Sequence, residues 1–183
     1  MFIKNLFVSL ISILMLSGCI SAHKYSAVGV AQFGNKKLSD KTISVGKISL
    51  AGGKDGEVNN PQVRLGTMSS PYDGLYSEYL RRALIMELVE SQIYSDKGDY
   101  IISGTLIKNE ITSPVLERGR MTIAAKIVVS KGGGIVFDKV IERDELWDVP
   151  FAGDYARRKA PHVYLRAMNK FVEKVFDKID FAL

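Results

Sequence analysis

Four carboxylates stand close together in the stretch ERDELWD, residues 142–148, which also holds the only tryptophan of the chain. Glu142, Asp144 and Glu145 are residue types that act in pairs as acid and base or nucleophile in glycoside hydrolysis. The same residues suit an exposed strand end whose tryptophan, Trp147, packs on the core. We expect the structural role, and the acid–base role stays open as the alternative.

Other catalytic patterns are absent from the sequence. His23 and His162 have no H-x-x-x-H spacing and no cysteine partner for a zinc site. No G-x-S-x-G motif is present, and KGGGI lacks the G-K-[ST] ending of a phosphate loop. We therefore expect no metal site, no cofactor beyond a covalent lipid, and a protein that is not an enzyme.

Basic residues form the more suggestive pattern. Arg157, Arg158 and Lys159 are consecutive at the entry to the last predicted helix, and Arg81 and Arg82 lie on the polar face of an earlier one. Arginine forks suit phosphate groups, so these five residues are candidates to bind lipid A phosphates, phospholipid headgroups or an acidic partner. A solvated charged surface that aids solubility is the alternative.

The amino terminus has the layout of a secretory signal. Lys4 precedes an apolar run from Leu6 to Leu16, and the small residues Ser17 and Gly18 follow. The apolar run is far shorter than the roughly 20 residues that span a bilayer as a helix. We predict that residues 1–18 are removed as a signal peptide.

Leu16-Ser17-Gly18-Cys19 resembles the lipobox of bacterial lipoprotein precursors. The resemblance implies that the thiol of Cys19 receives a diacylglyceryl group, that cleavage occurs before this residue and that the new amine is acylated. Several acyl chains together hold a protein stably on a membrane, whereas one chain does so only marginally. Ile20 replaces the aspartate that the family associates with inner-membrane retention, which implies the outer membrane.

Composition is consistent with one secreted domain. About 165 residues remain after the signal, enough for a sizeable core. Cys19 is the only cysteine, so no disulfide can form within the chain. The formal net charge is +5 and falls by one with Lys4, which favours anionic lipid or acidic polymers as partners. Nucleic acid is not expected for a secreted protein.

The first half of the mature chain contains one segment with a clear secondary-structure pattern between two segments without one. Residues 19–41 lack periodicity and are predicted to be the lipidated amino terminus and a tether, which leaves a single periplasmic domain at 42–183. Thr42 to Leu50 is rich in β-branched residues and predicts a strand. The stretch from Ala51 to Ser69 predicts a long loop, which is often functional or mobile.

The second half predicts a regular α+β pattern. Ser70 and Pro71 are placed to start the first helix, three strands with a glycine hairpin follow, and a helix from Ala160 closes the chain. The order strand-helix-strand-strand-strand-helix predicts an α+β two-layer sandwich, with a mostly antiparallel sheet of about four strands and two helices on one face. Helical spacing predicts that the core includes Tyr79, Leu80, Leu84, Phe171 and Val175.

This element order, behind a lipobox, resembles a group of small periplasmic lipoproteins. The group includes the lipopolysaccharide-assembly lipoprotein and the auxiliary lipoproteins of lipid-transport ABC systems. The resemblance implies an outer-membrane, periplasm-facing accessory or assembly protein of an envelope complex that acts by binding. The alternatives are an envelope enzyme acting on wall glycan or lipid, and a lipid-binding transport module that holds an acyl chain.

Overall fold

The computed structural model describes residues 20–29, 38, 40–64, 66–114, 117–149 and 153–182. The predicted signal peptide and the predicted lipidation site Cys19 lie outside these ranges. In chain order the elements are β1 (Ile20–Ser21), β2 (Ile43–Leu50), a 3₁₀ turn (Glu57–Asn59), β3 (Gln62–Val63), β4 (Gly66–Ser69), α1 (Tyr76–Glu90), β5 (Tyr100–Thr112), β6 (Arg118–Lys131), β7 (Gly134–Asp148) and α2 (Gly153–Ala182).

The main sheet has four strands in the order β2-β5-β6-β7. Strands β5, β6 and β7 form an antiparallel meander, and β2 joins β5 in parallel. The β6–β7 turn uses Gly132 and Gly133, with φ of 55° and 84°, values that side-chain-bearing residues rarely adopt. The predicted α+β sandwich is confirmed, and its sheet is mixed because β2 runs parallel to β5.

Alternation along β6 decides which face of the sheet is buried. Met121, Ile123 and Ile127 are fully buried on the face that the helices cover. Arg120 and Lys126 are exposed on the opposite face. Successive side chains of a strand point to opposite faces. The alternation of apolar and polar residues in the sequence of β6 therefore gives the sheet one apolar face and one polar face.

Both helices pack on the same face of this sheet. Helix α1 contacts mainly β2, and α2 contacts β7 and β6. The core positions expected from helical spacing are all fully buried, as are many others from both layers. The confirmed positions are Tyr79, Leu80, Leu84, Phe171 and Val175.

The start of α1 differs from the prediction. The helix begins at Tyr76, and Ser70 instead accepts a hydrogen bond at Oγ from the backbone N–H of Tyr72, at 3.2 Å. Asp73 and Gly74 have φ of 51° and 71°, a left-handed backbone that cannot continue a right-handed helix. The expected cap at Ser70 is therefore wrong, because a turn separates it from the helix.

The start of α2 also differs. The sequence predicts that the helix starts at Ala160. In the structure the helix begins at Gly153 and runs through Pro161. A proline inside a helix removes one backbone hydrogen bond. Burial of neighbouring Ala156 and Val163 supports the helix on both sides of the proline.

A second, three-stranded sheet was not expected. Its order is β1-β4-β3, and β3 and β4 belong to the segment predicted as a long loop. Strand β1 runs parallel to β4, with Ile20 opposite Met68. The described part of the predicted tether, residues 20–29, thus packs on the domain, with Ala22 and Tyr25 buried.

Candidate functional site

A cluster of tyrosines holds residues 20–29, hereafter the N-terminal segment, on α1. The hydroxyl of Tyr25 donates to Glu87 Oε1 at 2.7 Å, and the backbone N–H of Val28 donates to the same oxygen at 2.9 Å. The hydroxyl of Tyr79 donates to the backbone carbonyl of His23 at 2.8 Å. These bonds join two parts of the chain about 60 residues apart in sequence.

Burial raises the pKa of Tyr25 well above the ordinary range of a phenol, and the neighbouring Glu87 raises it further. Tyr25 therefore stays protonated and can donate its hydrogen bond throughout the physiological pH range. Glu87 is fully buried. Sequence analysis overlooked this residue, although its spacing of four residues from Ala83 and three from Leu84 puts a carboxylate on the apolar side of α1, which was the available signal.

The basic residues singled out at 157–159 are adjacent in sequence but have different surroundings. Arg157 lies against Gly66 of β4, with its Nε 3.2 Å from the position that a Cβ on Gly66 would take. Arg158 pairs with Asp154 at 3.0 Å, and Lys159 Nζ donates to the backbone carbonyl of Asp148 at 2.9 Å. Consecutive helical residues point in different directions, so these three cations do not form one knot.

The two arginines of α1 are engaged locally. Arg81 and Arg82 both pair with Glu78, at 3.3 Å and 3.2 Å. Arg82 also lies over the ring of Tyr72, with its Cζ 5.0 Å from the ring centroid. Arg81 donates to the backbone carbonyl of Gly46 at 3.3 Å. Both cations remain partly exposed and help attach α1 to its surroundings.

The structure separates the three candidate carboxylates of ERDELWD. Glu142 and Asp144 lie on the exposed face of the sheet, where they pair with Lys108 at 3.3 Å and with Arg120 at 3.1 Å. Glu145 lies on the opposite face, under α2, and is only 8% exposed. The sheet therefore separates Glu145 from the other two carboxylates, and Glu142 and Asp144, which share one face, are each held in an ion pair there.

Glu145 is the centre of an ion-pair cluster between β7 and α2. It accepts from Arg166 at 2.7 Å and from Lys170 at 2.8 Å, both on α2. Burial raises the pKa of Glu145, but hydrogen bonds and attraction from the two cations outweigh burial, so this pKa lies below its ordinary value. The charged Glu145 therefore attaches α2 to β7, which is a structural role.

The face of the main sheet that the helices leave uncovered is termed the open sheet face. Its rows follow the strand register, for example Ile101, Ser130 and Ile135 across β5, β6 and β7. Ion pairs connect the strands on this face. Each carboxylate that β7 places on the open sheet face is paired with a cation of β5 or β6. The pairs are Lys108–Glu142, Arg118–Asp148, Arg120–Asp144 and Lys126–Asp138.

Large apolar side chains stand between these charges. Ile101 is 43% exposed, Ile135 65%, Val140 62% and Leu146 45%, and the register puts all four on the open sheet face. The surface thus mixes exposed apolar groups with paired charges. Protein–protein interfaces have this composition, with apolar contact area set among polar groups.

Three surface grooves contain mainly polar and charged groups. One of about 660 Å³ lies between the 3₁₀ turn region and the end of β5, and its lining includes Asp55, Glu57 and Glu110. A second, of about 460 Å³, lies between β7 and α2 among Arg143, Lys170, Glu173, Lys174, Asp177 and Lys178. A third, of about 350 Å³, includes Lys47 and Lys126 on the open sheet face. The residues that line all three are mostly polar or charged, whereas an acyl chain is best held by apolar residues.

The two histidines meet in the structure. The ring centroids of His23 and His162 are 4.2 Å apart, at an interplanar angle of 61°. Within the described ranges, no cluster of three or more His, Cys, Asp or Glu residues is arranged to hold a metal ion. The contact joins the N-terminal segment to α2, a second point of attachment besides the tyrosine cluster.

Comparisons with known proteins define the fold. No model of a known protein family matches the sequence, and no curated protein matches it. The structure is similar to that of a Xanthomonas campestris protein described as belonging to DUF330, with a TM-score of 0.59 and 9% identity over 91% of this chain and 100% of that one. It is also similar to a hypothetical protein of Chlamydia trachomatis, with a TM-score of 0.53 and 7% identity over 77% of this chain and 96% of that one.

The structure of a minor lipoprotein of Acinetobacter baumannii is similar at a lower TM-score of 0.47, with 10% identity over 77% of this chain and 93% of that one. At such identities the first two matches show a shared fold. Among the helices of the described ranges, none has an apolar stretch long enough to cross a membrane.

Proposed function

We propose that this chain is a lipid-anchored accessory or assembly protein of a bacterial envelope complex. It is held on the outer membrane through Cys19, faces the periplasm and binds a protein partner through the open sheet face. The anchor is supported by the lipobox resemblance of Leu16 to Cys19 behind a short apolar segment.

The observation that carries the binding role is the composition of the open sheet face. Four large apolar side chains stand exposed there between charged pairs. Exposed ion pairs contribute only about 0–1 kcal/mol each to stability, so this arrangement gains little for the fold itself. The same pairs can select a partner of complementary charge, while the apolar groups supply area to bury.

The two alternatives receive less support. Acid–base catalysis on a glycan needs two carboxylates flanking one bond. Glu145 is separated from the other two by the sheet, and Glu142 and Asp144 are each paired with a cation on the open sheet face. A lipid carrier needs an apolar cavity, and the three grooves described above contain mainly polar side chains.

In-cell photo-crosslinking tests the proposed surface. A crosslinking amino acid at Val140, which is 62% exposed on β7, should give a discrete adduct with one envelope protein. Val89, 54% exposed on the outer side of α1, is a matched control with the same side chain. Equal adducts at both positions, or none at Val140 in a functional protein, would contradict the proposal.

A second variant pair tests binding by affinity. Val140→Asp should weaken capture of the crosslinked protein, because a carboxylate would have to be desolvated in an apolar contact. Val89→Asp should leave capture unchanged.

Cys19→Ala tests the anchor separately, because it should abolish palmitate incorporation and leave an uncleaved precursor.

A further inference from the structure

The folded domain begins immediately after the predicted lipidation site. Ile20 already lies in β1, and the backbone N–H of Ala22 donates to the carbonyl of Ser69 at 2.9 Å. Only one peptide unit separates Ile20 from Cys19, and consecutive Cα atoms are about 3.8 Å apart. A lipid on Cys19 would therefore hold the small sheet at the bilayer surface, without a length of free chain between them.

The first turns of α2 lie beside this point of entry. Because β1 runs parallel to β4, the chain enters the small sheet at the end where Gly66 begins β4, and Arg157 lies against Gly66. His162, farther along α2, contacts His23, which follows β1. Arg157 is therefore nearer to the entry end than His162 is. The first turn of α2, which begins at Gly153 and precedes Arg157, lies at that end as well.

The side chains at this end suit the headgroup layer of a membrane. Tyr155 is 61% exposed, and the Cζ of Arg158 lies 4.7 Å from its ring centroid. Residues 153–162 include three cationic side chains and only one carboxylate, Asp154. The pair of Asp154 with Arg158 is mostly solvent-exposed and therefore weak. Tyrosine and arginine each combine an apolar body with a polar end, which favours them at membrane interfaces.

We propose that the surface formed by Tyr155 and Arg158, one helical turn apart on α2 and termed the anchor-proximal surface, lies against anionic phospholipid headgroups of the leaflet that holds the anchor. The domain is then held flat on the membrane in one orientation. The inference rests on the lipid anchor of the proposed function. We assign the bilayer as the binding partner of this surface because the anchor keeps the two together at a high effective concentration.

Fluorescence quenching in vesicles tests this orientation with the full-length lipoprotein. Cys19 is the only cysteine of the chain, so an introduced cysteine can carry the label in the lipidated protein. Labels at Tyr155→Cys, Val140→Cys and Val89→Cys are compared in phosphatidylcholine vesicles with and without phosphatidylglycerol, using a lipid whose headgroup carries a quencher. The label at 155 should lose most of its fluorescence in anionic vesicles, and the labels at 140 and 89 should keep theirs.

A charge variant tests the cause. A basic residue near an anionic membrane contributes about 1 kcal/mol, so Arg158→Ser should lower the ratio of docked to undocked protein about five-fold. Lys178→Ser is the matched control, because it removes an exposed cation about 30 Å farther along α2. Raised salt should reproduce the effect of Arg158→Ser.

The outcomes separate the two proposals. Protein that fails to float with vesicles would overturn the anchor and this inference with it. Lipidated protein with equal quenching at all three labels would overturn only the orientation, as would an Arg158→Ser variant that behaves like Lys178→Ser. Protection of residue 155 in cells but never in vesicles would assign this surface to a protein and overturn the lipid proposal.

Discussion

Tyr25→Phe should loosen the attachment of the N-terminal segment to the domain. The change keeps the ring, which contacts Tyr79 at a centroid distance of 6.3 Å, and removes only the hydroxyl that donates to Glu87 at 2.7 Å. Glu87 is fully buried and would keep the backbone N–H of Val28 as a donor on the same oxygen. The variant therefore isolates one buried hydrogen bond to a carboxylate.

The expected magnitude follows from that bond. A hydrogen bond to a charged group contributes about 1.5–3 kcal/mol, and burial prevents water from replacing it. For a domain of this size, 1 kcal/mol corresponds to about 2–4 °C in melting temperature. Tyr25→Phe should therefore lower the melting temperature by about 3–12 °C.

Thermal denaturation followed by circular dichroism measures this change, and hydrogen exchange locates it. Amides of residues 22–28 should exchange faster in the variant, while those of the β5–β6 pair keep their order of protection. Tyr94→Phe is the matched control, because its hydroxyl donates to Asp96 at 2.6 Å on the surface. Equal effects of the two substitutions would refute the reasoning, because burial would then not decide the strength of the bond.

Three further predictions concern stability. Glu145→Gln should cost about 1–3 kcal/mol at neutral pH by weakening the contacts with Arg166 and Lys170. Because the folded pKa of Glu145 is lowered, its contribution is present above the unfolded pKa and is lost as the pH falls, so variant and parent should converge in acid denaturation curves. Asn59→Ala should lower stability by about 0.5–2 kcal/mol in urea titration, because the Asn59 side chain caps the N–H of Tyr76 at 2.9 Å, whereas Asn60→Ala, on the exposed neighbour, should be nearly silent. Burial raises the pKa of four tyrosines, so the domain should lose stability as the pH rises above the ordinary phenol pKa of about 10, with tyrosinate absorbance from this group rising only together with unfolding. These residues are Tyr25, Tyr76, Tyr79 and Tyr164.

The sequence alone determined the elements whose signals are local and periodic. Alternation over β6 and helical spacing in α1 and α2 were enough to predict a two-layer α+β fold and the core around Leu84 and Phe171. Such patterns can be recognised in the sequence because each helix or strand must present one apolar side to the other layer. The lipobox is also a local signal, and lipidation of Cys19 stays a prediction.

Tertiary structure decided where the sequence carries no local signal. The cap of α1 comes from Asn59, 17 residues earlier and on the far side of β3 and β4 in the chain, and the short strand β1 exists only because β4 is beside it. The helix start at Gly153, seven residues before the predicted start at Ala160, depends on burial that supports the helix on both sides of Pro161.

The candidate sites show the same division. Residue type marked Arg157, Arg158 and Lys159 as one group, yet consecutive helical positions point in different directions. Glu142 and Glu145 were grouped by proximity in sequence, and the sheet separates them because positions an odd number of residues apart on a strand lie on opposite faces. Chain neighbours share a sequence motif, but surfaces are assembled from residues distant in sequence, and only the folded chain determines which of those residues meet.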